Sequence, residues 1–124
     1  MASKFAELCV DCKDPASLAR FWSSILDWPV KEEDGDWAYI EGAAEPGIFF
    51  IKVPEGKSVK NRLHIDVRPT EGSRDEEVER ALGLGATRID IGQGEQTWVV
   101  LADPEGNEFC ILGRKDEPKV GPTG

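Results

Sequence analysis

Positive charge is in short supply in this 124-residue chain: 15 lysines and arginines stand against 24 aspartates and glutamates, a formal net charge of −9. A polyanion would be repelled on average, and the longest basic cluster runs only from Lys57 to Arg62, so no nucleic-acid partner is expected. No apolar run approaches the ~18 residues of a membrane span, so no membrane partner is expected either. The opening Met1-Ala2-Ser3-Lys4-Phe5 lacks the charged-then-apolar pattern of a targeting segment, and the expected location is the cytoplasm. Cysteine is scarce and odd in number, with Cys9, Cys12 and Cys110 alone, which argues against a disulfide framework. Histidine occurs once, as His64, so any chemistry that needs an imidazole rests on that residue.

What is present is ordinary for a globular domain: 40% apolar and 31% charged residues. The length suits one domain, or two small modules sharing a core. Lys4 to Cys12 alternates polar and apolar, which predicts a strand. Asp14-Pro15 supplies an N-cap and a first-turn proline for a helix to about Asp27, with Leu18, Phe21, Trp22, Ile25 and Leu26 as its apolar stripe. Trp28 to Glu33 and Trp37 to Ile40 read as strands around an Asp34-Gly35 hairpin, and Ile48 to Val53 as a buried strand. The pattern then restarts. Arg62 to Val67 predicts a strand with Leu63, Ile65 and Val67 on its apolar face. Ser73 and Glu76 form a capping box for a second helix with Val78, Ala81 and Leu82 inward, ended by Gly83 and Gly85. Strands follow at Thr87 to Ile91, Thr97 to Leu101 and Glu108 to Leu112, joined by turns at Gly92-Gln93-Gly94 and Asp103 to Asn107. Arg114 to Gly124 reads as a flexible tail. The chain is thus βαβββ twice, with Val10 matching Val67 at an offset of 57 and Trp37 matching Trp98 at 61. The fold class is α+β: two tandem modules, about 4–53 and 60–112, in one domain spanning 1–113.

If each first strand packs its apolar side on its helix, the other side carries Glu7, Cys9 and Asp11 in one module and Arg62, His64 and Asp66 in the other, joined by Glu108 and Cys110 from the last strand. That surface is either a solvated sheet face or a ligand cleft, and Trp37, Tyr39 and Trp98 favour the cleft. Cys9 and Cys12 have CxxC spacing, but a strand turns them to opposite faces, against a redox or zinc-knuckle role. Gly92-Gln93-Gly94 opens no helix and is not expected to cradle phosphate. Cys110 reads as a small buried hydrophobe, or as a nucleophile if His64 activates it.

Residues 4–112 resemble the vicinal oxygen chelate superfamily, the fold of glyoxalase I, extradiol dioxygenases and bleomycin-resistance proteins. The resemblance is carried by Asp14-Pro15 with Leu18-Ala19-Arg20-Phe21-Trp22, by His64-Ile65-Asp66-Val67, by Leu84-Gly85-Ala86, and most specifically by Asp103-Pro104-Glu105-Gly106-Asn107-Glu108-Phe109. It implies mixed, curved sheets forming a cleft, helices outside, and a homodimer. Members with a metal take ligands from the first strand of each module and from the last strand. Carried over, those positions fall on Glu7, His64 and Cys110, while the matching first-module position, Phe49, cannot ligate. The incomplete set leaves the cofactor undetermined: a divalent metal on His64 and Glu7 stays open, with its absence favoured. The expected catalytic residues are Glu7 and His64, and the expected ligand-binding residues are Arg62, Trp37, Trp98 and Cys110. The partner is a small molecule. Two functions remain open, a glyoxalase-like enzyme acting on an oxygen-rich compound, and a non-catalytic sequestering protein of bleomycin-resistance type, for which the negative charge suits a cationic ligand.

Overall fold

In a computed structural model, residues 1–44, 46–89 and 98–113 are described. The chain divides into two compact units, Met1–Ser58 and Val59–Gly124. The first holds β1 (Glu7–Cys12), α1 (Pro15–Leu26), β2 (Val30–Asp34), β3 (Trp37–Ile40) and β4 (Gly47–Lys52). The second holds β5 (Ile65–Val67), α2 (Arg74–Leu84), β6 (Thr87–Arg88), β7 (Val99–Ala102) and β8 (Glu108–Ile111). Each is a βαβββ module with an open four-stranded mixed sheet, ordered β1-β4-β3-β2 and β5-β8-β7-β6. In both, the first strand runs parallel to the last and the remaining pairs are antiparallel. The fold is therefore the α+β repeat expected from the sequence. Its register keeps the predicted offsets: with Val10 matched to Val67, their partners Phe50 and Ile111 stand 61 apart, as do Ala38 and Val99 opposite those partners.

In the first unit the Asp14 carboxylate accepts from the Ser17 N–H at 3.2 Å, which caps α1, and Pro15 needs no donor at the first turn. Leu18, Ala19, Phe21, Trp22 and Ile25 are buried against the sheet side that carries Ala38, Ile40, Ile48 and Phe50. The helix stops because Asp27 turns left-handed, at φ 56°. Trp28 then folds back, its N–H on the Ser23 carbonyl, so β2 begins at Val30 and not at Trp28. Every residue of β2 is exposed, and its charges Lys31, Glu32, Glu33 and Asp34 keep this edge from pairing with another chain. The hairpin loop is Gly35-Asp36, one residue later than predicted. Asp34 pairs with Trp37, and its carboxylate accepts from the Asp36 N–H at 2.9 Å. A side-chain turn thus replaces the glycine-driven one.

In the second unit Ser73 and Glu76 close the predicted capping box. Of the two glycines expected to end α2, Gly85 does so and Gly83 does not. The helix continues through Gly83 to Leu84, and Gly85, at φ 122°, caps it. The largest departure lies in Arg62 to Val67. Only Ile65–Val67 is strand, while Arg62, Leu63 and His64 belong to a preceding bend, and Leu63 is 82% exposed instead of facing the core. The predicted Gly92-Gln93-Gly94 turn, the ends of the strands expected at Thr87 to Ile91 and Thr97 to Leu101, and the tail from Arg114 lie outside the described residues. Among the described residues, no helix is long and apolar enough to cross a membrane.

Candidate functional site

The turn before β8 sets the geometry of the second unit's sheet. Asp103 is 3% exposed. Its carboxylate accepts from the Glu105 N–H at 2.9 Å, from the Asn107 N–H at 3.0 Å and from the Asn107 side-chain amide at 3.0 Å. Gly106 takes φ 88°, a conformation that L side chains rarely adopt. The Asp-Pro-Glu-Gly-Asn sequence is therefore a structural device: an aspartate caps the turn, a glycine reverses the chain, and an asparagine is presented for a further bond. That bond comes from Asn61, whose amide donates to the Asn107 side-chain carbonyl at 3.0 Å, while the Asn61 N–H donates to Glu108 Oε1 at 3.1 Å. With the Asn61 N–H committed to a side chain, this segment bends. The bend resolves into β5 at Ile65.

Across β5 and β8, Asp66 stands directly opposite Cys110. His64 places Nε2 3.0 Å from Asp66 Oδ1. One ligand atom from each of His64, Asp66 and Cys110 lies within 4.8 Å of the other two. His64 and Asp66 are exposed, whereas Cys110 is only 8% exposed. Burial first, then the charge of Asp66 and a hydrogen bond to it, push the Cys110 thiol from its ordinary 9.0 up to about 11, and Lys60 pulls weakly the other way. At neutral pH Cys110 is thus a thiol that donates to Asp66, which argues against the nucleophile reading.

This has a measurable consequence. At pH 8 a thiol near 11 holds about 100-fold less thiolate than one at 9.0. Native Cys110 is expected to alkylate with iodoacetamide at least about 100-fold more slowly than in urea-unfolded chain, and Asp66→Asn to narrow the gap. Peptide mass spectrometry reads both, and equal native and unfolded rates would contradict the assignment. The raised value also fixes a sign. Stability from the protonated thiol is present below pH 9 and is lost as pH rises through about 11.

Arg62 is exposed in the bend, and Trp98 is half-buried immediately before β7. Glu7 lies in the first unit, exposed on β1, where it and Asp11 add to burial in raising the thiol of Cys9 between them. Trp37 packs on Phe49 at 5.3 Å and Tyr39 on Phe49 at 5.6 Å between ring centroids, on the sheet side away from α1. Tyr39 donates to Glu41 at 2.9 Å, and at Gly47 any Cβ would fall 2.5 Å from the Tyr39 oxygen, so glycine makes room for the phenol. Asp66 was visible in the sequence on the polar face, yet nothing singled it out. Its spacing of two from His64 and its register opposite Cys110 were the available signals. Asn107 and Glu108 were visible in the turn motif and on the polar face, but their bonds to Asn61 were not, because that partner lies 46 and 47 residues away.

A family model for the glyoxalase-like domain matches residues 7–112. The chain belongs to that family, and with it to the vicinal oxygen chelate superfamily. Solved structures similar to this glyoxalase-like chain include a glyoxalase/bleomycin resistance protein/dioxygenase family enzyme from Burkholderia phytofirmans PsJN, at 17% identity and TM-score 0.68 over 88% of this chain and 97% of that one. They also include the fosfomycin resistance protein FosX from Listeria monocytogenes complexed with Mn(II) and sulfate, at 18% identity and TM-score 0.70 over 94% and 98%. A third is a glyoxalase-related enzyme from Fulvimarina pelagi, at 14% identity and TM-score 0.68 over 99% and 96%. No curated protein sequence matches the chain. At these identities the likeness establishes the fold.

The metal that the superfamily implies can be tested against the donors of this glyoxalase-like chain. An imidazole, a carboxylate and a thiol converge in the second unit, and each type ligates divalent zinc. The donors fit a metal, with Asp66 as a donor that the resemblance did not supply.

Proposed function

We propose that this glyoxalase-like chain acts on a small oxygen-rich molecule at the His64–Asp66–Cys110 cluster, moving a proton on it. One observation carries the reading: the only imidazole of the chain is held at 3.0 Å by a carboxylate that also accepts from a buried thiol. With Nε2 committed to Asp66, the Nδ1 lone pair is the atom that meets the substrate. Imidazole carries protons at physiological pH, and a carboxylate behind it fixes the tautomer and stabilises the imidazolium once formed. His64 is the proton acceptor and Asp66 its positioning residue. Were a divalent metal bound, His64, Asp66 and Cys110 would hold it, and it would supply Lewis-acid polarisation of a substrate oxygen.

The test is deuterium exchange of a panel of 2-hydroxycarbonyl compounds in D2O, followed by proton NMR. The expected result is enzyme-dependent exchange that falls by about 10²–10⁴-fold in His64→Ala, with Asp66→Asn shifting its pH profile. Exchange that is unchanged in His64→Ala would sink the assignment.

A second reading, sequestration without turnover, draws support from the first unit. There the Trp37–Phe49–Tyr39 strip shares its sheet side with Glu7 and Asp11, an arrangement suited to an organic cation. Saturable tryptophan quenching by such a cation, lost in Trp37→Ala, would favour it. Assembly as a homodimer and residence in the cytoplasm belong to the proposal. Exposed Phe5, Val59 and Leu63 support the first, and three free cysteines suit the second.

A further inference from the structure

We infer that the molecule on which the His64–Asp66 pair acts carries an anionic group, a carboxylate or a phosphate, and that Lys60 anchors that group. This assignment rests on the proton-transfer reading of the pair and deepens it, naming a substrate class and a specificity-determining residue.

Three observations converge. The longest basic cluster of the chain, Lys57 to Arg62, ends two residues before His64, although the net charge is −9. The backbone there is fixed. Asn61 stands between Lys60 and Arg62, its N–H on Glu108 Oε1 at 3.1 Å and its side-chain amide on Asn107 at 3.0 Å. Asn61 is half-buried, whereas Lys60 and Arg62 are exposed on either side of it. A segment held at its middle residue presents its neighbours at less entropic cost than a free loop does. The third observation is reach: the Lys60 charge acts on the Cys110 thiol, which stands opposite Asp66 across β5 and β8.

The charges around the bend decide the sign of the ligand. Its carboxylates are engaged: Glu108 accepts from the Asn61 N–H, and Asp66 holds His64 at 3.0 Å and accepts from Cys110. The cations are not. Among the described residues Arg74, Arg80 and Arg88 each pair with a carboxylate, and neither Lys60 nor Arg62 does. The uncommitted charge beside the cluster is therefore positive. A lysine ammonium is a compact point charge with three donors, so it suits a carboxylate and a phosphate alike. Lys60 would hold the end of the substrate that does not react. Such contact is equal in the ground and transition states, so it sets KM and not kcat.

The test uses compounds that share a hydroxyketone and differ in one arm: dihydroxyacetone, which is neutral, its phosphate ester, and hydroxypyruvate, which carries a carboxylate. Deuterium exchange and titration calorimetry are run on full-length wild type and Lys60→Gln, an exposed substitution that spares the core. The expected result is that at least one anion binds more tightly than dihydroxyacetone and exchanges with a lower KM. Lys60→Gln is expected to raise that KM by about 5–30-fold. It is expected to change kcat by less than about twofold and to leave dihydroxyacetone unaffected. Lys60→Arg restores the preference, and Lys31→Gln, on exposed β2, leaves it intact. The anion that responds tells carboxylate from phosphate. Equal binding of neutral and anionic compounds, or an anion preference that survives Lys60→Gln, would overturn the inference. His64-dependent exchange without an anion preference would remove it and leave the proton-transfer reading standing. Lys60-dependent anion binding without exchange in any compound would support the anion site and remove that reading.

Discussion

Asp103→Ala is expected to destabilise the chain by about 2–4 kcal/mol in urea denaturation, because it strands several part-buried donors at once. The Asp103 carboxylate serves the N–H groups of Glu105 and Asn107 and the Asn107 amide. A buried donor left without an acceptor costs about 1–3 kcal/mol, and water reaching the opened turn returns part of that. Asp103→Asn keeps one acceptor oxygen for the two backbone donors, so its loss is expected to be about half as large. The consequence extends to the cluster. Asn107, once released, no longer anchors Asn61, and the bend that presents His64 loses one of its two ties. Deuterium exchange is therefore expected to fall in Asp103→Ala. A stability within about 0.5 kcal/mol of wild type would show that the turn closes without its cap.

The difference between what the sequence disclosed and what it hid follows the range of the interactions. Helix caps are local: Asp14 reaches Ser17, and Ser73 and Glu76 reach each other, so both helix starts were legible. Of the two glycines read as the end of α2, Gly85 is the one that takes positive φ and caps it, while Gly83 stays helical because a helix tolerates glycine at modest cost. The β5 region failed for a different reason. Alternation of Leu63, Ile65 and Val67 is a valid strand pattern, but the Asn61 N–H is claimed by Glu108, 47 residues along the chain. No window of local sequence contains that partner. The candidate site shows the same division. His64 and Cys110 stood out as chemical types and through the resemblance. Asp66 gains meaning only from the register that sets it opposite Cys110, and register is a property of two strands.

Phe109→Ala is expected to be the most damaging single change, at about 3–5 kcal/mol. Phe109 is fully buried in β8, opposite Ile65 on one side and Leu101 on the other. Its ring lies on the opposite side of the strand from Cys110, so truncation removes core without touching the cluster chemically. That separation makes Cys110 a reporter. In the wild type, alkylation is limited by the scarcity of thiolate in the closed state. After Phe109→Ala the route through opening dominates, because the opened chain exposes a thiol near its ordinary 9.0. At tenfold per 1.4 kcal/mol, a loss of 3–5 kcal/mol multiplies the open population by roughly two to three and a half orders of magnitude. Alkylation through opening is expected to rise in proportion and to slow in stabilising osmolyte. The Asp66→Asn effect arises without opening and is expected to be insensitive to osmolyte. Phe109→Leu, which keeps most of the volume, is expected to cost far less and to leave the Cys110 rate near wild type. If Phe109→Ala loses its stability while Cys110 stays protected, β8 does not open with the core, and the thiol is held by the cluster alone.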